Sequence, residues 1–294
     1  TPKPSSAASD VYKRQGEIAP AALDRARVAL EGYVRQMKFE KVSRVRMVAT
    51  SATRDAKNQQ EFFDMTAELL GQIQPGAQAE VVSGEEEALL SFNGAVADLE
   101  PDRGPFCVID LGGGSTEFVV GTADGEILGT HSARMGCVRL TERIMRTDPP
   151  TESEIEIASE YVGERTAEVE DIVPISKART IVGCAGTFTT LSALAQGLER
   201  YDADAIHGSE LRFGALRVLL QQLIALPSDV RALNPVIHPG RADVIGGGAV
   251  AVEGIMQLIE RNCAARSFFI SEKDILDGII AGCLLYTSPS PRDS

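Results

Sequence analysis

The sequence lacks several features that mark other classes of protein. It contains no apolar run of about 18 residues, so we expect no membrane-spanning helix. Its first residues show no basic stretch followed by an apolar core, which predicts no secretory signal. The five cysteines include no CxxC pair, which argues against a zinc knuckle or a disulfide framework and favours reduced thiols in the cytoplasm. The three histidines are too dispersed to predict a metal triad: His131, His207 and His238.

Positive charge is also scarce. The chain has 29 lysines and arginines against 42 acidic residues, giving a formal net charge of −13. A protein with this charge does not attract polyanions through its overall field, so we expect no nucleic acid as a partner. Any phosphate ligand must therefore be held locally, by backbone amides, a few arginines and metal ions.

The periodicity predicts alternating helices and strands, which favours an α/β fold with helices covering an open sheet. The expected helices include 20–37, 58–70 and 84–97, and the first of them is expected to bury Leu23, Val28, Leu30 and Val34. The expected strands include 45–49, 79–82, 106–109, 116–120, 180–182 and 267–270, with a hairpin turn at Asp124-Gly125 and a last helix from Glu272. Residues 1–15 and 285–294 lack any such pattern, and we interpret them as non-native or disordered tails.

The strongest local signal is an apolar strand that runs into an acid, three glycines, a hydroxyl and a second acid: Asp110, Gly112, Gly113, Gly114, Ser115 and Glu117. Glycines let successive backbone N–H groups converge on a phosphate. Asp110 and Glu117 could hold Mg²⁺ (or Mn²⁺) beside it. The alternative is a tight hairpin whose glycines only shape the turn, but the whole combination favours a phosphate site.

Two further motifs are ambiguous when taken alone. Three acids at 85–87 suit the positive end of a helix, each contributing roughly 0.3–1 kcal/mol, or one of them could act as a general base. Arg54 follows a strand end and could bind phosphate in a bidentate manner, or be an ordinary surface arginine.

Glycine turns at 183–186, followed by Thr187, and at 246–248 each precede a predicted helix. Each could present amides to an anion, although close helix packing explains either one equally well. Arg241 is a further candidate for an anion contact.

Seven motifs in the same order give the sequence a specific resemblance. They are TSATRDAKN, VVSGEEEA, VIDLGGGSTEFVVG, MGCVRLTER, VGCAGTFTT, HPGRADVIGGGA and SEKDILDGI, and together they span about residues 16–282. The chain resembles the exopolyphosphatase and guanosine pentaphosphate phosphohydrolase family, in particular its shorter, actinobacterial-like members.

The resemblance implies an actin-like ATPase (ribonuclease H-like) fold of two domains with the active site in the cleft between them. The domains would be 16–100, the remainder of the first, and 105–270, the second, with 271–284 as a C-terminal helix returning to the first. Glu87 matches the catalytic glutamate that activates water. Asp110 and Glu117 match the metal-associated acids, and the residues that match the phosphate-binding set are Arg54, Gly112, Gly113, Gly114 and Ser115.

The sequence also departs from the family. Members begin with a strand that carries an Asp-x-Gly-(Thr/Ser)-Asn-Ser loop, the first half of the phosphate clamp, and no such motif occurs here. We therefore expect the first domain to lack its initial strands and the chain as printed to have little activity. Adding an upstream segment with that loop, to give what we call the extended chain, is expected to restore phosphate release.

The resemblance implies hydrolysis of the terminal phosphoanhydride of inorganic polyphosphate. Guanosine pentaphosphate is the alternative substrate, because it presents the same terminal group. The same fold also allows two hypotheses of other functional classes. One is a non-catalytic phosphate or nucleotide sensor, and the other is a sugar or acetate kinase. A homodimer is an alternative to a monomer that the sequence does not decide, although the motifs of this chain do not include the extra C-terminal region of dimeric relatives.

Overall fold

The computed structural model describes residues 17–49, 53 and 56–286. The chain divides into two compact units, residues 1–87 and 88–294. The domain boundaries predicted near residues 100 and 105 stay predictions. Among the described residues, no helix combines the length and apolar character needed to cross a membrane.

The first unit contains α1 (Pro20–Phe39), β1 (Val48–Ala49), α2 (Gln59–Leu70) and β2 (Glu80–Val81). β1 and β2 pair in parallel, with α2 as the crossover between them. Leu30 and Val34 of α1 pack against Met65 and Leu69 of α2. The first unit is therefore a small β-α-β arrangement with a helix–helix core.

The second unit follows α3 (Gly84–Val96), which begins in the last residues of the first. Its strands are β3 (Phe106–Leu111), β4 (Thr116–Gly121), β5 (Ile127–Ala133), β6 (Thr180–Cys184), β7 (Glu210–Arg212) and β8 (Ser267–Ile270). Its helices are α4 (Cys137–Arg143), α5 (Glu152–Ile172), α6 (Ala185–Ala195), α7 (Ala203–Ile206), α8 (Phe213–Ala225), α9 (Ser228–Arg231), α10 (Ile245–Asn262) and α11 (Ile275–Tyr286).

The strands of the second unit form one mixed sheet in the order β5-β4-β3-β6-β8-β7. β3, β6 and β8 run parallel, while β4, β5 and β7 pair antiparallel with their neighbours. One face carries the main core, in which Ile109 and Phe118 meet residues from α4, α5, α6, α8 and α10. The other face packs Phe106 and Val108 against Phe92 of α3.

Most elements predicted from sequence are confirmed, including the hairpin turn, where Gly125 adopts a φ of +88°. α5 begins with a capping box, in which the Thr151 hydroxyl accepts a hydrogen bond from the Glu154 N–H and the Glu154 carboxylate accepts one from the Thr151 N–H. The alternation of helices and strands thus located most of the elements that were predicted from it.

Three local predictions are wrong. Val28 is 66% exposed, because it lies two positions from Leu30 and hence about 200° around the helix from the buried face. The predicted strand at 45–49 is only Val48–Ala49, since the N–H of Val45 bonds to the Gln74 side chain instead. The last helix begins at Ile275 rather than at Glu272.

Candidate active site

The two acids of the glycine motif face each other across the β3–β4 hairpin. Asp110 pairs directly with Glu117 in the antiparallel register, so their side chains lie on the same face of the sheet. That face is the one that carries Phe106 and Val108, and Asp110 continues it toward the carboxyl end of β3. The structure therefore brings the predicted metal-associated acids together.

The loop between the strands is held by its carbonyl groups. The carbonyl of Gly112 accepts from the Cys137 N–H at 3.1 Å, and that of Gly113 from the Arg139 N–H at 2.9 Å. The carbonyl of Gly114 accepts from the Arg139 guanidinium Nε at 2.7 Å. Three successive peptide groups thus direct their oxygens toward the start of α4.

This anchoring orients the amides of the loop. In a trans peptide the N–H points opposite to the carbonyl of the same unit, so the N–H groups of Gly113, Gly114 and Ser115 point away from α4. Within the part of the chain that the structure describes, none of these three has a hydrogen-bond acceptor. Adjacent, free N–H groups on one side of a loop form a nest for an anion.

Gly136 makes the close approach of α4 possible. A Cβ at this position would lie 2.5 Å from the carbonyl carbon and oxygen of Gly113 and 2.7 Å from the oxygen of Gly112. The hydroxyl of Thr116 adds a buried hydrogen bond to the Met135 carbonyl at 2.6 Å. The motif that begins at Met135 is therefore the support of the phosphate loop, a role that sequence reasoning did not assign.

Glu117 is held by two hydroxyls. Ser115 Oγ donates to Glu117 Oε1 at 2.6 Å, and Ser132 Oγ, directly opposite on β5, donates to the same atom at 2.9 Å. Burial raises the pKa of Glu117, and the two hydroxyls offset only part of that effect. Sequence reasoning missed Ser132, whose only signal was its register opposite Glu117.

The donor set suits a hard divalent cation. No group of three His, Cys, Asp or Glu side chains gathers anywhere in residues 17–49, 53 and 56–286. Asp110, Glu117 and their neighbouring hydroxyls nevertheless offer only oxygen donors, and Mg²⁺ commonly takes one or two carboxylates and completes its shell with water and substrate phosphates. A cation would also restore the charged form of Glu117.

A second turn lies at the same edge of the sheet. β6 is parallel to β3 and pairs Cys184 with Asp110, so the turn at the start of α6 lies at the carboxyl end of the neighbouring strand. Ala185 there has a φ of +67°, a strained value of the kind found at functional sites. A Cβ on Gly186 would lie 2.0 Å from the Arg241 guanidinium, which also donates to Thr190 at 3.2 Å. The structure thus joins two candidate anion sites, the 183–186 turn and Arg241.

The glycines at 246–248 do not form a turn before a helix, as predicted, but belong to the first turns of α10. A Cβ on Gly247 would lie 2.6 Å from the Cys137 carbonyl, and one on Gly248 would lie 2.9 Å from Thr187. Tight packing of α10 against α4 and α6 therefore requires these glycines in spite of their low helix propensity.

Two of the predicted site residues, Arg54 and Glu87, belong to the first unit. Glu87 lies in the first turn of α3, and its N–H donates to the Ser83 carbonyl at 2.9 Å. Its neighbour Glu86 forms an ion pair with Arg46 at 2.9 Å. That pair engages the Glu86 carboxylate, and the assignment of Glu87 as the catalytic acid stays a prediction. Arg54 lies outside the described residues.

Comparison with known proteins identifies the family. The sequence model of the Ppx/GppA phosphatase family matches residues 7–283. Exopolyphosphatase 2 of Mycobacterium tuberculosis H37Rv is 50% identical over 264 residues, covering 90% of this chain and 82% of the relative.

Solved structures agree with this result. The crystal structure of an exopolyphosphatase-like protein matches with a TM-score of 0.82 and 38% identity, covering 95% of this chain and 89% of that one. A Ppx/GppA family member from Aquifex aeolicus matches with a TM-score of 0.79 and 29% identity, covering 96% and 87%. These matches confirm the actin-like ATPase fold that the motifs implied, and the chain belongs to the Ppx/GppA phosphatase family.

Proposed function

We propose that this protein is an exopolyphosphatase, which releases orthophosphate from the end of inorganic polyphosphate. The observation that carries the proposal is the set of three free amides in the 112–115 loop, held beside two carboxylates. The name of the M. tuberculosis relative, exopolyphosphatase 2, supports the same substrate class.

The proposed reaction is a hydrolysis at the terminal phosphorus. A water oxygen forms a bond to that phosphorus while the bond to the bridging oxygen breaks, leaving orthophosphate and a chain one unit shorter. The N–H groups of Gly113, Gly114 and Ser115 hold the terminal phosphoryl oxygens and stabilise charge as it develops on them. Glu87, by its match to the family motif, takes the proton from the attacking water.

Asp110 and Glu117 would hold the divalent cation, Mg²⁺ or Mn²⁺. When bound, the cation neutralises phosphate charge that a chain of net charge −13 could not otherwise tolerate. Ser115 and Ser132 orient the Glu117 carboxylate by donating to it, and thereby keep its second oxygen available for the cation.

Guanosine pentaphosphate is the second candidate substrate. The turn at the start of α6 and Arg241 lie at the same sheet edge as the loop, and a nucleotide could use them where a bare polyphosphate would need only phosphate contacts. The loop itself recognises a terminal phosphoryl group and does not distinguish the two. A cytoplasmic location agrees with the finding that, among the described side chains, no disulfide joins the cysteines Cys107, Cys137, Cys184 and Cys263.

The test is orthophosphate release from long polyphosphate, short polyphosphate and guanosine pentaphosphate, each with Mg²⁺. The printed chain and the extended chain should be assayed side by side. We expect the extended chain to release phosphate from long polyphosphate faster than from guanosine pentaphosphate. Saturable binding without release from any substrate, unchanged by Glu87→Ala, would instead establish a sensor.

A further inference from the structure

A pocket lies among residues of α4, the 145–150 segment, α9 and the start of α10. Its volume is about 220 Å³, and its lining includes Thr141, Arg146, Asp148, Arg231, Gly246 and Gly247. The volume exceeds the roughly 30 Å³ of one water and falls below the roughly 300–1,000 Å³ of pockets for larger organic ligands. No residue of the 112–115 loop lines it.

The pocket contains a buried arginine with unsatisfied donors. The side chain of Arg231 is only 3% exposed, and its Nη2 lies 3.1 Å from Asp148 Oδ1. Its Nε and Nη1 are buried and have no acceptor within the described part of the chain. Buried N–H groups of a charged side chain are rarely left unpaired, so this guanidinium calls for a further acceptor.

Arg231 also lies against the positive end of a long helix. A Cβ on Gly246 would be only 2.7 Å from Arg231 Nη1, which places the guanidinium on the first turn of the 18-residue α10. The N–H groups of the first three residues of α10 have no acceptor among residues that the structure describes. A cation is unfavourable at this end of a helix, because the free N–H groups carry partial positive charge.

Asp148 balances only part of this charge. Its two oxygens already accept from the backbone N–H of Ser228, at 3.0 and 2.9 Å, and from the Ser228 hydroxyl. The hydroxyl of Ser228, followed by its backbone N–H and Arg231, lowers the pKa of Asp148 in spite of some burial. Asp243 also lines the pocket but is an exposed residue. The Nε and Nη1 atoms and the helix amides remain for another negative group.

We propose that this pocket binds a small oxyanion of the orthophosphate class, held jointly by Arg231 and the first turn of α10. The anion accepts from Nε and Nη1 and from the amides at Gly246 and Gly247, while Arg146 at the pocket wall adds positive charge. This site shares no residue with the catalytic loop at 112–115. The proposal does not depend on the proposed function, because its test measures binding.

The test is calorimetric titration of the chain with orthophosphate and with sulfate, at constant ionic strength set by chloride. Arg231→Met should weaken the binding of both anions at least tenfold. Arg217→Met is the matched control, since Arg217 pairs with Glu253 and Glu260 on another surface, and it should leave binding unchanged. Arg139→Met, which releases the Gly114 peptide of the catalytic loop, should leave this binding event in place, which separates it from phosphate held by that loop.

A second measurement covers the case in which Arg231→Met does not fold. Crystals of the unaltered chain grown with selenate should show an anomalous peak within hydrogen-bond distance of Arg231 Nε or Nη1. No peak there at saturating selenate would overturn the proposal. Equal affinity in the wild-type and Arg231→Met proteins would overturn it as well.

Discussion

The guanidinium Nε of Arg139 donates to the carbonyl oxygen of Gly114 at 2.7 Å, while the backbone N–H of the same residue donates to Gly113. One residue therefore fixes two successive peptide groups of the phosphate loop. Burial lowers the pKa of Arg139, and the nearby positive charges of Arg143 and Arg134 add to that effect. The Arg139 guanidinium is therefore a partly desolvated cation, which is consistent with the role of Arg139 in positioning the loop.

Removing the Arg139 side chain should release the Gly114 peptide. In the extended chain, Arg139→Met is expected to lower phosphate release roughly tenfold, because misplacing a phosphate donor weakens transition-state binding. Arg139→Lys should be nearly as impaired, since lysine restores the charge but has no Nε at that position. Steady-state kinetics on long polyphosphate tests this, and full rescue by lysine would show that charge alone matters.

Gly136→Ala should push the loop out of place. The added Cβ would lie 2.5 Å from Gly113, so either the loop or α4 must move. We expect a loss of stability of about 1–3 kcal/mol and a larger loss of activity than of folded protein. Gly163→Ala in the middle of α5 is the control, because a Cβ there meets nothing within 4 Å. It should stabilise the protein by about 0.5–1 kcal/mol in urea denaturation.

Gly94→Ala should disrupt the contact between α3 and α11. A Cβ on Gly94 would lie 1.9 Å from the Asp274 carbonyl oxygen, and a Cβ on Gly278 would lie equally close to that of Leu90. We expect a cost of at least about 1–3 kcal/mol from either alanine, measured by chemical denaturation. Gly214→Ala in α8 has open space around it and should change stability little. Similar stabilities for Gly94→Ala and Gly214→Ala would contradict the packing described.

The capping box of α5 should make stability depend on pH. The Thr147 hydroxyl and then the Thr151 N–H lower the pKa of Glu154 to about 2 in the folded protein, from an unfolded value of 4.5. A lowered folded pKa contributes stability above the unfolded pKa, and that stability is lost as the pH falls through the folded one. Glu154→Gln should therefore lower the urea midpoint at pH 7, and the difference should shrink between about pH 4.5 and pH 2.

Glu152→Gln, in the same first turn but outside the capping box, serves as the comparison for Glu154→Gln. It should lower the midpoint less at pH 7. If the difference in urea midpoint between the wild-type protein and Glu154→Gln stayed constant down to pH 2, the lost hydrogen bonds and not the charge would account for the loss of stability.

The β3–β4 hairpin could be predicted from the sequence because its strand, acid, glycines and hydroxyl are adjacent in the chain. The support of that loop by α4 was not predictable, since the contact between Gly136 and Gly113 joins residues far apart in sequence. The glycines at 246–248 show the opposite failure. Local propensity predicted a break in the helix, but the close approach of Cys137 and Thr187 favours residues without a Cβ inside α10.

The exposed face of α1 has a similar explanation. Val28 was expected in the core because it is apolar, yet the buried face follows Ala22, Leu30 and Val34. Apolar character alone is therefore a weak guide on an amphipathic helix, and position around the axis decides.

The most direct measurement is the rate of orthophosphate release from long polyphosphate by the extended chain carrying both Glu87→Gln and Asp110→Asn. If main-chain donors and a carboxylate-held cation grip the terminal phosphate while Glu87 activates water, the rate should fall by at least about 10²–10⁴-fold in a folded protein. Release at the unaltered rate by this double variant would contradict the roles assigned to the two carboxylates.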